Sequence, residues 1–361
     1  MNVLSLFDGM GTCKTCLDRV GLQVDNFFAS EVDKYAIAVA KYLHPDIVHV
    51  GDVRALDELT FMFFHNVSSF DLIAAGSPCK NLSLSGDKTG VICKSLKEYL
   101  KLKKEGYDFG KNQSYLFWEF VRLLEIYKPP YFFLENVITK KENQDIISNA
   151  LNIEPIKINS ALVSAQNRKR LYWSNIPGIC QPEDKGILLK DIVLHDGEPI
   201  ALTNLRGGFG ENTPRVFIDK SPTLRTPSGG GNIPFFIKKD WIHSEEAVEY
   251  MKKRFANGLD SYGYSNVSKP KSATILASFF KGVPNNVLKD WDCYRKFHPI
   301  ECERLQTLKD NSTAFGIFGN KIKKISNTQR YKMIGNGWNE ETIIHLFEGL
   351  KDIFQVKEKV S

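Results

Sequence analysis

The stretch that decides the fold is SLFDGMG, residues 5–11. It closes an apolar run, VLSLF (3–7), on a glycine-bracketed turn, and an amphipathic segment (12–20) starts directly after it. A strand passing through a tight turn into a helix leaves the helix's first backbone N–H groups free to face a carboxylate or a phosphate. One such turn is weak evidence, because glycine after a strand commonly serves the turn alone. The pattern gains weight by repetition. NFFASE (26–31) precedes KYAIAVAKYL (34–43), DIVHV (46–50) precedes 55–65, DLIAAG (71–76) precedes SYLFWEFVRLLEIY (114–127), and YFFLENV (131–137) follows. Alternation at this pitch predicts an α/β fold, a doubly wound and mostly parallel sheet with helices on both faces. Ligands of such sheets sit in the loops at the carboxyl ends of the strands.

Beyond residue 175 the texture changes. Gly-, Pro- and Asn-rich stretches such as LRGGFGENTPRV (205–216) and TPSGGGNIP (226–234) alternate with short β-like runs such as SATILASFF (272–280). After 295 helical spacing returns in PIECERLQTL (299–308) and ETIIHLFEGLKDIF (341–354), whose apolar residues fall at i, i+3, i+4 and need a core to cover. The expected organisation is therefore 1–175 as one domain, 176–294 as a smaller loop- and β-rich insertion, and 295–361 as helices returning to the first.

The 361 residues, 42% hydrophobic and 25% charged, suit a globular chain rather than a disordered one. Nothing resembles a secretory signal or a membrane span, so a cytoplasmic location is expected. Seven scattered cysteines, an odd number, argue for reduced thiols. Cys13 and Cys16 form a CxxC with no second pair to complete a zinc site, and are expected to pack on the first helix. A net charge of +6 permits nucleic acid without requiring it. The basic spots at 94–104, 168–170, 252–254 and 321–324 are, taken alone, ordinary solvated faces.

Glu31 ends the second strand and Asp52 follows the third, where acids can hold ribose hydroxyls. The absence of GxGxxG counts against a dinucleotide. Together these point to a nucleoside cofactor without a phosphate tail, and S-adenosylmethionine fits. Cys79 follows Pro78, whose ring stiffens the turn at a strand end; the segment alone suits a buried thiol as well as a nucleophile. Glu135 and Asn136 end another apolar strand, where a carboxyl group beside an apolar wall can carry a proton. Gln166, Arg168 and Arg170 alternate on an extended segment and are expected on one face, with arginine steadying Glu135. A thiol, an acid and a fork of donors suit nucleophilic addition to an electron-poor ring.

In FDGMG (7–11), GSPC (76–79), ENV (135–137), QNRKR (166–170), HPIECERLQTL (298–308) and IGNGW (334–338), in that order, the chain resembles the DNA (cytosine-5) methyltransferase family over nearly its whole length. The wording of several motifs resembles the vertebrate de novo branch, while the length looks prokaryotic or viral. The resemblance implies a Rossmann-like S-adenosylmethionine-dependent methyltransferase sheet, with 176–294 as a target recognition domain reading bases in the major groove. It implies Cys79 as the nucleophile on cytosine C6, Glu135 on N3 and the exocyclic amine, Arg170 on O2, and Arg168 beside them. The base must be flipped out of the duplex. The cofactor is expected at Phe7, Asp8, Gly9, Met10, Thr12, Glu31, Val32, Asp52, Val53, Pro78, Asn336, Gly337 and Trp338. Phe7 would stack on adenine, Glu31 bind the ribose, Asp52 the adenine amine and Asn336 the methionine end.

The implied product is S-adenosylhomocysteine, with no metal. The implied partner is double-stranded DNA, with no membrane and no obligatory protein partner, and a monomer is expected. The setting is cytoplasmic in a prokaryotic or virus-infected cell, possible as part of restriction-modification, and nuclear in a eukaryote. Two departures stand out. Lys80 follows the nucleophile where relatives carry Gln or Asn, and the catalytic loop is lengthened by CKSLKEYLKLKKEGYDFG (93–110), whose Lys97, Lys101, Lys103 and Lys104 are expected to add phosphate contacts. The alternatives are a tRNA cytosine-5 methyltransferase of the same family, whose CFT signature is absent, an inactive DNA-binding paralogue, against which the intact Cys79, Glu135, Arg168 and Arg170 argue, and a Rossmann oxidoreductase.

Overall fold

The computed structural model describes residues 1–57, 61, 65–78, 92–110, 112–188, 191–192, 194, 200–203, 215–217, 220–223, 235–237, 264–265, 287–288, 294–296 and 298–360. Its centre is a seven-stranded sheet. In chain order the elements are β1 (Asn2–Leu6), α1 (Thr12–Val20), β2 (Asn26–Ser30), α2 (Lys34–Leu43), β3 (Val48–His49), β4 (Leu72–Gly76), β5 (Tyr131–Val137), β6 (Ile156–Asn159), β7 (Gln166–Asn167) and β8 (Lys169–Ser174). The strand order is β3-β2-β1-β4-β5-β8-β6, with β7 outside the sheet. The first five strands pair in parallel, as the alternating pattern predicts, and β8 runs antiparallel to both β5 and β6.

The reversal of β8 has a local cause. Asn159, at the end of β6, accepts the backbone N–H of Ala161 and of Arg168 on its Oδ1, folding the chain back on itself within nine residues. A return that short cannot make a parallel crossover, which needs a dozen or more residues.

Strand side chains alternate between two faces, so each buried strand feeds two cores. Leu4, Leu6, Phe28, Ile73, Ala75 and Leu134 point to one face, covered by Phe117, Trp118, Phe120 and Leu123 of the helix Leu116–Tyr127. Val3, Phe27, Ala29, Leu72, Ala74 and Phe133 point to the other, covered by Cys13, Cys16, Leu17 and Val20 of α1. The CxxC cysteines are thus packing residues, as expected. The second face is completed by Ile343, Leu346, Phe347 and Leu350 of the last helix, Glu340–Val360.

The helices after 298 therefore return to the first sheet. The helix Pro299–Leu305 opens with proline at its first turn and a reciprocal cap between His298 and Glu301. It joins the helix Asn327–Asn336 and α2 in a third cluster built on Ala36, Val39, Leu305, Met333 and Ile334. In the intervening region the strands Ile200–Thr203, Arg215–Phe217, Phe235–Ile237 and Tyr294–Lys296 form a separate four-stranded antiparallel sheet. TPSGGGNIP and SATILASFF lie outside the described residues. Among the described residues no helix is long and apolar enough to cross a membrane, and no cluster of His, Cys, Asp and Glu could hold a metal.

Candidate active site at the carboxyl ends of the strands

The turn after β1 is held open by backbone conformations that most side chains avoid. Phe7 has φ 56, Gly9 φ 65 and Gly11 φ 85, and Gly11 is the N-cap of α1. Phe7 is the exception here, a left-handed residue with a side chain. Glu31 ties this turn to the next one. Its Oε2 accepts the Gly9 N–H at 2.9 Å, and its Oε1 accepts Val32 and Asp33 N–H at 2.7 and 2.8 Å. The carboxylate expected to meet a ribose thus also fixes the two turns that frame it.

Asp8 is buried. Its Oδ1 accepts the Ser5 hydroxyl at 2.6 Å, while Oδ2 has no hydrogen-bond partner among the described residues. Burial away from water pushes its carboxyl up to about 7. Val32, two residues beyond β2, is an apolar side chain that stands 70% exposed. Asp52 caps the short turn Val53–Ala55 and is gripped by the Arg54 guanidinium, with Nε at 2.9 and 3.0 Å, which holds its carboxyl below the usual range. Met10, Thr12 and Val53 are buried as supports.

The carboxyl-terminal motif closes the same end of the sheet. A Cβ placed on Gly76 would lie 2.7 Å from Trp338 Nε1, and one on Gly337 would lie 3.4 Å from Met10 Cε. Trp338 also meets Phe133 edge-on at 5.4 Å. Gly76, Gly337, Trp338 and Met10 therefore converge, with Asn336 exposed beside them and Pro78 half-buried. The chain requires glycine at 76 because an indole occupies the space.

At the end of β5, Glu135 lies opposite Gly76 on one side and Tyr172 on the other. Arg170 Nε meets its Oε1 at 2.8 Å, with both side chains only 12% and 11% exposed. Asn136 Nδ2 donates to Ser77 Oγ at 2.9 Å, tying β5 to the start of GSPC. Cys79 and Lys80 lie outside the described residues.

The expected fork of Gln166, Arg168 and Arg170 is divided. Gln166 Nε2 donates to the Leu305 carbonyl, and Arg168 donates to the carbonyls of Gly335 and Gly337 at 3.4 and 2.8 Å. Arg170 turns the other way and pairs with Glu135. The reason is that alternation breaks at 168, where β7 has ended and β8 has not begun. Gln306, which the sequence does not single out, joins Arg168 on this turn, donating to Ile334 and Gly337 carbonyls. Its place in ERLQTL was legible, but its partners lie about 30 residues on. Ser5 and Arg54 were likewise unassigned, although both sit within three residues of a recognised acid.

The lengthened loop is partly helical and does not leave all four of its lysines free for phosphate. Residues Leu96–Lys104 are a helix, with Leu96 and Tyr99 buried. Lys103 is not a free cation: its Nζ lies 2.6 Å from Glu119, a fully buried carboxylate that also takes the Tyr99 hydroxyl and Arg122. A buried carboxylate must be paired, and Lys103 is one of its partners.

The sheet order and the reversed β8 define the Rossmann-like fold of S-adenosylmethionine-dependent methyltransferases. Structures of that fold cover this chain almost completely. A candidate DNA modification methyltransferase from an E. coli prophage covers 98% of it and 99% of itself at TM-score 0.54 and 19% identity. The S. pombe Dnmt2 methyltransferase covers 98% and 99% at TM-score 0.54 and 15% identity. Residues 1–176, just under half of the chain, match the model of C-5 cytosine-specific DNA methylases. Among curated relatives, the orphan methyltransferase M.SPRI of Bacillus phage SPR is 26% identical over 185 residues, 48% of this chain and 37% of that protein. M.SPBetaI of Bacillus phage SPbeta is 28% identical over 200 residues, 48% of this chain and 44% of that one. The chain thus spans less than half the length of the curated relatives it matches.

Proposed function

We propose that the protein transfers a methyl group from S-adenosylmethionine to C5 of cytosine in double-stranded DNA. The observation that carries this is the Glu135–Arg170 pair, set one strand from the Gly76 that opens GSPC. A flipped cytosine presents N3 and an amine on one edge and O2 beside them, which matches a carboxyl group with a guanidinium next to it.

The cofactor is tested by the residues at the strand ends, and they fit it. Asp8 offers a buried oxygen without a partner among the described residues, Glu31 and Asp52 stand at successive strand ends, and the exposed Val32 gives a planar base an apolar surface. Phe7, Gly9, Met10, Thr12, Val53, Pro78, Asn336, Gly337 and Trp338 complete the proposed set. Bound there, S-adenosylmethionine supplies an electrophilic methyl group.

The chain's own residues do the rest. C5 of cytosine is a poor nucleophile, so Cys79 adds as thiolate to C6 and the ring's electron pair is released toward C5. Glu135 holds N3 and the amine, placing a proton where the addition needs it, and Arg170 holds O2. After C5 is methylated its proton passes to solvent water acting as base, the C–H pair re-forms the C5=C6 bond, and the C6–S bond breaks with its pair leaving on the thiolate. Arg168 holds the Gly335–Gly337 turn beside this site. In this reading 1–175 carries chemistry, 176–294 recognises the target and 295–361 completes the first domain.

Transfer of tritiated methyl groups to duplex DNA and, in parallel, to tRNA tests the proposal. Incorporation into DNA that Cys79→Ser abolishes is expected. Incorporation into tRNA alone would move the substrate to RNA, and full activity of Cys79→Ser would remove the proposed nucleophile.

A further inference from the structure

The helix Leu96–Lys104 has two faces with different fates. Leu96 and Tyr99 are buried, and Lys103 and Tyr99 both bind Glu119, so this face is fixed to the protein. Lys103 Nζ also reaches the Arg54 carbonyl at 3.3 Å, and Arg122, the other cation on Glu119, donates to the carbonyls of Val53 and Leu56. These contacts seat the helix against the turn that carries Asp52. Glu119 lies in the first turn of Leu116–Tyr127, which leads back toward the start of β5, so the anchor stands at the carboxyl ends of the strands. That is the rim that holds Glu31, Asp52 and Glu135.

The opposite face is cationic. Lys97, Lys101 and Lys104 are exposed and, at 3.6 residues per turn, fall within about 60° of one another. Among the described residues Lys97 and Lys104 face no carboxylate at ion-pair distance. Lys101 has only Glu105 at 4.0 Å, and both are well exposed, so that pair is weak and screened. Of the acids nearby, Glu98 accepts the Lys94 N–H at the head of the helix instead of neutralising the stripe. From Lys97 to Lys104 the stripe is about 10 Å long, which matches about three phosphates of one strand at 3.4 Å each.

We propose that this helix is a fixed phosphate-docking element, which seats the backbone of duplex DNA beside the active site through Lys97, Lys101 and Lys104. The proposal rests on the DNA reading above and adds to it a place on the chain where the backbone lies. A charged face held rigidly by buried anchors differs from an ordinary solvated face, because its cations are pre-positioned and need little ordering on binding.

Each phosphate neutralised contributes about 0.9 to the slope of log K against log salt. The triple variant Lys97→Gln, Lys101→Gln, Lys104→Gln should therefore bind duplex DNA with a slope shallower by about 2–3, while its unfolding temperature stays at the parent value. At low salt and saturating DNA its turnover should match the parent within about twofold, since none of the three residues belongs to the site. A control variant with Lys321, Lys323 and Lys324 changed to Gln loses the same charge elsewhere and should keep the parental slope. An unchanged slope in the first variant, or an equal change in both, overturns the docking element. Methyl transfer by the parent protein is read separately: transfer to duplex DNA with an unchanged slope leaves the function standing without the helix, and no transfer or binding to DNA removes both.

Discussion

Asp8 and Glu135 both end strands of one sheet, and their surroundings differ in a way that sets different tests. Glu135 has Arg170 beside it, whereas Asp8 accepts the Ser5 hydroxyl and its Oδ2 has no hydrogen-bond partner among the described residues. Because burial raises the Asp8 carboxyl to about 7, the folded protein holds a proton there that the unfolded chain loses near pH 4. The contribution of Asp8 to stability therefore falls as pH rises from about 4 to about 7, and is level above that. Asp8→Asn removes this dependence and should stabilise the protein at pH 8 relative to pH 5, with an upper bound of about 4 kcal/mol from the size of the shift. Urea unfolding at the two pH values measures it. Some slope of the same sign remains in the variant, because burial also raises Glu340 to about 7 despite Arg19. The two arginines make a second test. Arg170→Ala removes the partner of Glu135 and should lower kcat by about 10²–10⁴. Arg168→Ala removes the shorter of the two side-chain hydrogen bonds on the Gly337 carbonyl, leaving that of Gln306, and should raise the KM for S-adenosylmethionine by about tenfold with a smaller effect on kcat. Steady-state kinetics with cofactor and DNA varied in turn separates them, and equal losses in kcat would place both arginines on the base.

The helix Leu96–Lys104 shows what a single element adds and how far it could be read in advance. Its amphipathic sequence and its lysines were legible, but the pairing of Lys103 with Glu119 was not, because the partner lies 16 residues on and in another helix. The same holds for β8. QNRKRLYW reads as extended, yet nothing in its own residues says that it runs antiparallel, since the Asn159 side chain sets that return. By contrast β1, β2, β4 and β5 were legible almost to the residue, because buried parallel strands leave near-continuous apolar runs. The Glu119 anchor yields a graded prediction. Glu119→Leu strands Lys103 and Arg122 against a buried site and should cost about 3–5 kcal/mol. Lys103→Met leaves Glu119 with Tyr99 and Arg122 and should cost less, about 1–2 kcal/mol. Denaturant unfolding of both variants checks the order, and equal costs would mean that Lys103, rather than the carboxylate, is the member that matters.

At the scale of the whole molecule, the site is assembled from segments some 300 residues apart, and so is its core. Glu31 and Asp8 come from the first turns, Glu135 from the middle, and Gly337 and Trp338 from the end. The periodicity of ETIIHLFEGLKDIF shows that the last helix needs a cover, and α1 with the sheet provides it. The match to the family model stops at residue 176, short of that helix. Ile343, Leu346, Phe347 and Leu350 are each at most 1% exposed. Burying a side chain of that size is worth about 1.5–3 kcal/mol, so the four contribute about 6–12 kcal/mol, comparable to the net stability of a typical domain. Residues 1–176 expressed alone should therefore lack cooperative unfolding and bind an apolar dye, although they hold all four proposed catalytic residues, Cys79, Glu135, Arg168 and Arg170. A single substitution should reproduce part of this effect in the full chain. A Cβ on Gly349 would intrude on the backbone carbonyl of Pro177, which has no freedom to turn aside as a side chain would. Gly349→Ala should thus cost about 1–3 kcal/mol by lifting the helix from the loop after β8. Thermal unfolding followed by near-ultraviolet circular dichroism tests both. A sharp transition in the 1–176 fragment would show that the family-matched segment is a complete core, and that the last helix only covers it.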